Sequence, residues 1–187
     1  SLDNPSTPGG GALPGGIGWY RKTFTLPETD RDKVIYVDFD GVYRNSEVWI
    51  NGHSLGFRPN GYVSFRYDLT PYLRYGSQPN VIAVKADNSE QPNSRWYSGS
   101  GIYRNVWLVK VNPVHVDNWG TFVHDMKISS EEATFALEVR IRNSSEADRE
   151  AEVSTSIYDD RNKVVTASVT TLLRVPYTPC YDTRMRE

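Results

Sequence analysis

A chain of 187 residues has room for one large or two modest domains, since domains commonly run to roughly 100–150 residues. Its 38% hydrophobic and 24% charged residues and net charge of −2 describe an ordinary soluble protein with no basic excess to attract nucleic acid. No apolar run nears the ~20 residues that span a bilayer, and the N-terminus lacks the basic-then-apolar order of a signal peptide, so no membrane partner is expected and an exported form would already have lost its signal.

Taken in chain order, residues 1–16 are rich in Gly, Pro and Ser. Pro8-Gly9-Gly10-Gly11 and Pro14-Gly15-Gly16 break any regular ladder, and the stretch reads as an N-terminal arm. Short strand-like runs then recur at 19–26, 34–39, 47–50, 63–67, 80–86 and 102–111, each bounded by turn residues. Asn51-Gly52 is a strong hairpin signal because both residues tolerate the positive φ of a type I′ turn. Asp68-Leu69-Thr70-Pro71-Tyr72-Leu73 predicts one helical turn, capped by Asp68 or Thr70 with Pro71 at its first position. Val111-Asn112-Pro113 marks a boundary, since proline cannot continue a central ladder. The first domain is therefore drawn at 17–112 and the second at 113–187.

In the second domain Phe135, Leu137, Val139 and Ile141 alternate with Glu138, Arg140 and Arg142, which predicts a strand with one dry and one wet face. Ala151, Val153, Thr155 and Ile157 repeat the pattern, and a polar turn at 158–163 leads to a further strand at 164–173. Many short strands between glycine and asparagine turns indicate an all-β protein built as a sandwich or barrel.

Few residues suggest chemistry. His53, His115 and His124 have no ligand spacing, the single Cys180 has no partner, and Gly9-Gly10-Gly11 precedes no helix, so neither a metal nor any other cofactor is expected. Asn143-Ser144-Ser145 fits the glycosylation acceptor pattern. Asp87-Asn88, at the end of a strand, has two readings: a carboxylate and an amide aimed at adjacent sugar hydroxyls, or a plain Asx turn. Arg95, Trp96 and Tyr97 combine a planar donor with aromatic faces, a set suited to gripping a polar ring that has apolar C–H faces. Trp19, Trp49 and Trp107 lie inside strand runs and are expected to pack in the core.

Four segments in order carry a family resemblance: Gly18-Trp19-Tyr20-Arg21-Lys22-Thr23-Phe24, Val48-Trp49-Ile50-Asn51-Gly52, Asn80-Val81-Ile82-Ala83-Val84-Lys85-Ala86-Asp87-Asn88, and the run from Arg95 through Ser98-Gly99-Ser100-Gly101-Ile102-Tyr103-Arg104 to Leu108. Together they resemble the N-terminal sugar-binding domain of glycoside hydrolase family 2, which holds β-galactosidases, β-glucuronidases and β-mannosidases. The resemblance covers roughly residues 16–113. It implies a galactose-binding-like jelly-roll sandwich followed by a partial, truncated immunoglobulin-like sandwich, with about four strands where about seven are usual.

The resemblance further implies that an acidic residue in the loop at Asp87 reaches the mouth of the active site, and Asp87, Asn88, Arg95, Trp96 and Tyr97 are the candidate residues for binding a β-galactoside-type carbohydrate. Where relatives often carry proline after the Trp-Tyr pair, this chain has Ser98. Retaining hydrolysis needs two carboxyl groups about 5–5.5 Å apart, which the family supplies from a barrel of ~250 residues that this chain has no room for. Glu47 and Glu131-Glu132 read as exposed charges, and the chain by itself is expected to be inactive and to need that barrel as its partner. The uncovered edge of the second domain invites homo-oligomer formation. A polymer-degrading role suggests a bacterial periplasm or the cell exterior, with the cytoplasm as the alternative. A free-standing lectin-like module and a sandwich without a ligand remain the rival readings.

Overall fold

The computed structural model describes residues 16–90, 99–165 and 168–177. They are all-β, and among the described residues the only helical segments are two short 3₁₀ turns; the chain divides into two compact units between Lys110 and Val111.

The first unit holds β1 (Ile17–Phe24), β2 (Val34–Phe39), β3 (Val42–Tyr43), β4 (Ser46–Ile50), β5 (His53–Arg58), β6 (Phe65–Asp68), β7 (Asn80–Asp87) and β8 (Gly101–Ile102). It ends in β9 (Val106–Val111). A four-stranded sheet runs in the order β1-β7-β4-β5, a three-stranded sheet in the order β6-β2-β9, and β3 pairs with β8. The core lies between the two larger sheets: Val48, Ile50, Val84 and Ala86 of one meet Val37, Phe39 and Tyr67 of the other. An apolar crevice remains open beside this core, lined by Tyr20, Phe24, Ile82, Ile102, Val106 and Leu108.

Local chemistry explains the turns. Asn51 and Gly52 take φ values of 51° and 88°, as a type I′ turn requires, and close the β4–β5 hairpin. Asn51 does more than turn: its amide donates to the Tyr72 carbonyl and to Asn80 Oδ1, both at 2.8 Å, while its own Oδ1 accepts from the Val81 amide at 2.9 Å. Asn80 is fully buried, accepts from the Arg74 amide at 2.8 Å and donates to the Arg74 carbonyl at 2.7 Å. This asparagine pair stitches the hairpin to the start of β7.

The helical turn forms at Thr70–Tyr72, with Leu69 in the cap position and Pro71 one place later than expected. Asp68 Oδ1 accepts from the Thr70 amide at 2.8 Å, whereas Thr70 uses its hydroxyl to take the Ile35 amide of β2. Two strands differ from expectation. Asn60 Oδ1 accepts from the Tyr62 amide, which keeps Tyr62 and Val63 in an exposed turn and delays β6 to Phe65. The run at 102–111 is broken into β8 and β9 because Tyr103 leaves the ladder, its hydroxyl donating to the Gly61 carbonyl at 2.9 Å.

The second unit contains β10 (Val114–Ile128), β11 (Ala133–Asn143), β12 (Arg149–Thr155) and β13 (Val169–Val175), paired as β10-β11 and β12-β13. β10 is bulged near Trp119, which has φ of 55°, and Arg142 of β11 grips Asp117 at this irregularity through two bonds of 2.9 and 3.0 Å. Phe135, Leu137, Val139 and Ile141 share one face, as their alternation predicts, and line an open apolar trough with Val153 and Leu173. Asn143 is fully buried and its amide donates to the carbonyls of Ala147 and Val175 at 2.9 and 3.0 Å. That engagement corrects the glycosylation expectation, because a buried amide with two acceptors is closed to a glycan.

Candidate functional site

Strand β7 delivers the candidate site at one end of the first unit. Asp87, its last residue, lies opposite Ile17 of β1, and its amide donates to the Arg44 carbonyl at 2.9 Å. The Asp87 carboxylate accepts from the Ser89 hydroxyl at 2.6 Å and the Ser89 amide at 3.1 Å, with Lys85 Nζ 3.7 Å away. An Asx turn is therefore present. The Ser89 hydroxyl, then the Ser89 amide, and to a lesser degree Lys85 hold this carboxyl below the usual carboxylate range, so it is an anion at neutral pH. Lys85 also reaches Glu47 of β4 at 3.4 Å, which makes a carboxylate, ammonium, carboxylate row across the sheet.

Asn88 faces inward. It is 2% exposed, its amide side chain donates to Ser100 Oγ at 2.8 Å and its backbone amide donates to the Gly16 carbonyl at 2.9 Å. These contacts tie both ends of the segment 89–99 to the start of β1. Asn88 thus acts on the loop rather than presenting its amide to solvent. Gly101 and Ile102 continue the anchorage by pairing with Tyr43 and Val42, and the Ile102 amide donates to Tyr20 Oη at 3.4 Å. Arg44 donates from Nη2 to the carbonyl and carboxylate of Glu90, both at 3.1 Å.

The structure brings Asp87 and Asn88 together, while Arg95, Trp96 and Tyr97 lie outside the described residues. Arg44, Ser100 and Tyr20 are positioning residues that sequence reasoning missed, since each acts on a partner at least 12 positions away. Trp19, Trp49 and Trp107 are also not where the sequence suggested. Trp19 and Trp107 are 63% and 53% exposed, with the Trp107 indole donating to Asp40 Oδ2 at 3.0 Å, and the half-buried Trp49 stacks on Trp19, because these strands carry bulky residues on both faces and only one face can enter the core. Among the described residues no group of three His, Cys, Asp or Glu side chains converges as a metal site.

Residues 9–112 match the sequence model of the sugar binding domain of glycosyl hydrolases family 2. The chain belongs to glycoside hydrolase family 2. It is 54% identical over 165 residues to β-galactosidase BoGH2A of Bacteroides ovatus, which covers 88% of this chain and 19% of that protein. It is 48% identical over 134 residues to a putative β-glucuronidase of Formosa agariphila, covering 72% of this chain and 13% of that protein.

Among solved family structures, a β-glycosidase from Bacteroides vulgatus superposes with a TM-score of 0.81 at 42% identity, covering 92% of this chain and 22% of that one. The chain thus spans between 13% and 22% of the length of these family members. Within the family match, Glu47 is a cross-strand partner of Lys85 on β4, a sheet charge paired within its own layer.

Proposed function

We propose that these residues are the substrate-positioning region of a longer β-galactosidase-like retaining glycoside hydrolase, whose reacting carboxylates come from a catalytic barrel outside this chain. The observation that carries this reading is the ionised Asp87 at the root of a loop held at both ends by Asn88, Ser100 and Gly101, inside the segment that matches the family's sugar binding domain. In this reading Asp87 accepts hydrogen bonds from sugar hydroxyls, Arg95, Trp96 and Tyr97 complete the grip, and Asn88 holds the loop that carries them. Positioning of this kind changes rate without supplying a reacting group.

The test is kinetic. In the full-length enzyme Asp87→Ala should lower kcat/KM with little change in Tm, because a hydrogen bond to a charged group contributes roughly 1.5–3 kcal/mol. A large fall in Tm with unchanged kinetics would refute the assignment. The 187-residue chain alone should not turn over a chromogenic β-galactoside, and turnover by it would place a reacting carboxylate here. The similarity to a putative β-glucuronidase favours a second reading within the same family, a β-glucuronide substrate, which a matched panel of β-galactoside and β-glucuronide separates. Action on extracellular saccharides would place the longer protein in the periplasm or outside the cell.

A further inference from the structure

Strand β10 does not run straight past β11. Between Val116 and Thr121 its register slips, and in the slip Trp119 takes φ of 55°, a left-handed conformation that a bulky side chain adopts only under strain. Its neighbours hold it there. The Asp117 carboxylate accepts from the Asn118 amide at 2.8 Å and is gripped by Arg142 of β11. A Cβ on Gly120 would lie 2.7 Å from the Asp117 carbonyl oxygen and 2.9 Å from that of Arg140, so only glycine lets the strand return to the ladder. A bulge re-aims a side chain, and this one leaves Trp119 87% exposed, more than any other large apolar residue among the described residues. The indole borders a cleft of about 420 Å³ that it shares with Phe122, Glu138 and Arg140. Phe122 lies opposite Glu138, on the face of the β10-β11 pair turned away from the trough, and the His124 ring stacks on it with centroids 5.1 Å apart.

We propose that this cleft is a saccharide-binding site, in which Trp119 and Phe122 stack on the C–H faces of sugar rings while Glu138 and Arg140 bond the hydroxyls at their edges. The choice of a sugar rests on the functional reading above, in which the longer protein acts on glycosides, and the site itself rests on the bulge. Flat apolar faces beside a carboxylate acceptor and a guanidinium donor match a ring that is apolar on its faces and polar at its rim. The Glu138 side chain is 71% exposed and meets His124 Nε2 through one oxygen at 3.1 Å, which leaves acceptor sites for hydroxyls. The volume of the cleft lies within the range of small-molecule sites. A protein partner fits less well. The centres of protein interfaces are depleted of charged residues, and an apolar surface laid over Glu138 and Arg140 would strip them of water without bonding them.

Affinity electrophoresis of the full-length enzyme tests this, in native gels cast with increasing concentrations of soluble β-galactan or of hyaluronan, which present β-galactosyl and β-glucuronyl units. The parent should be retarded by at least one of them. Trp119→Ala should weaken the apparent Kd for that polysaccharide roughly tenfold, and Trp119→Phe, which keeps an aromatic face, should stay within about threefold of the parent. Retardation by neither polysaccharide, or an alanine variant retarded as strongly as the parent, overturns the proposal. Hydroxyl-radical oxidation of the parent, read at Trp119 by peptide mass spectrometry, gives an answer that needs no variant to fold. Protection of Trp119 that grows with added polysaccharide supports the site, whereas full protection before any is added assigns the indole to a protein interface and overturns it. An enzyme inactive on every chromogenic glycoside yet retarded through Trp119 would undo the functional reading and leave this site standing. An active enzyme that neither polysaccharide retards would do the reverse.

Discussion

Gly101 offers the sharpest test of how the loop at the candidate site is held. It is buried, sits at φ of 88°, and pairs with Tyr43 at the point where the loop re-enters the sandwich. A Cβ at this position would lie 1.9 Å from Tyr20 Oη and 3.0 Å from Tyr20 Cζ. Gly101→Ala therefore meets two separate penalties. The positive φ strains any L side chain by roughly 1–3 kcal/mol. The clash forces the Tyr20 ring outward, away from the Ile102 amide that it accepts from, a displacement of the overpacking kind that adds roughly 1 kcal/mol or more. The sum is a loss of about 2–4 kcal/mol.

Urea unfolding followed by tryptophan fluorescence measures this loss, and a Tyr20→Phe background divides it. Removing the hydroxyl deletes the 1.9 Å contact and leaves the ring carbon at 3.0 Å, so the steric share falls while the backbone share stays. Gly101→Ala should then cost about 1 kcal/mol less in the Tyr20→Phe protein than in the parent, a coupling of the size expected for side chains in contact. A cost below about 0.5 kcal/mol in the parent would refute the backbone argument. Equal costs in both backgrounds would show that Tyr20 is not the obstacle.

The remaining predictions concern buried polar groups and one ion pair. Asn80→Ala leaves the Arg74 amide, the Arg74 carbonyl and the Asn51 side chain without their partner, and at roughly 1–3 kcal/mol per unsatisfied buried group the expected loss is about 3–5 kcal/mol by chemical denaturation. A loss under about 1 kcal/mol would mean that water replaces all three bonds. Asn88→Ala in the full-length enzyme should lower Tm and kcat/KM together, since it removes the side-chain bond to Ser100 that joins the two ends of the loop while the backbone bond to Gly16 stays, in contrast to Asp87→Ala, which should spare Tm.

Asp117 is held below the ordinary carboxylate range chiefly by the Arg142 guanidinium, so its stabilising share is complete above the unfolded Asp value near ~3.9 and is lost as pH falls through the folded value. An NMR titration should show the Asp117 midpoint move up toward the unfolded value in Arg142→Gln. An unmoved midpoint would exclude the pair as the cause.

What the sequence disclosed follows from the range of the interactions involved. Asn51-Gly52 and the Phe135 to Ile141 alternation are decided within a few residues, by the φ tolerance of a turn and by the two-residue repeat of a strand, and the structure shows both. Asp68 or Thr70 reads as the cap of the helical turn, the cap position falls on Leu69 between them, and the Thr70 hydroxyl serves Ile35, which is 35 positions away. Asn80 is an ordinary polar residue in the sequence, and Asn88 reads there as a sugar contact or part of an Asx turn. They become buried fasteners only because Arg74, Asn51 and Ser100 arrive beside them in the fold.

The tryptophans show the limit most directly. In Trp19-Tyr20 two large aromatics are adjacent, so alternation fixes that they face opposite sides of β1 and leaves open which side is the core. Pairing with β7 decides it: Tyr20 falls opposite the buried Val84 and lines the crevice, and Trp19 falls opposite Lys85 on the outer face. A slip of one residue in that register would exchange them. The exposed tryptophan is thus set by the same pairing that carries Asp87 to the end of β7, and Trp19 and the candidate site are held in register by one strand.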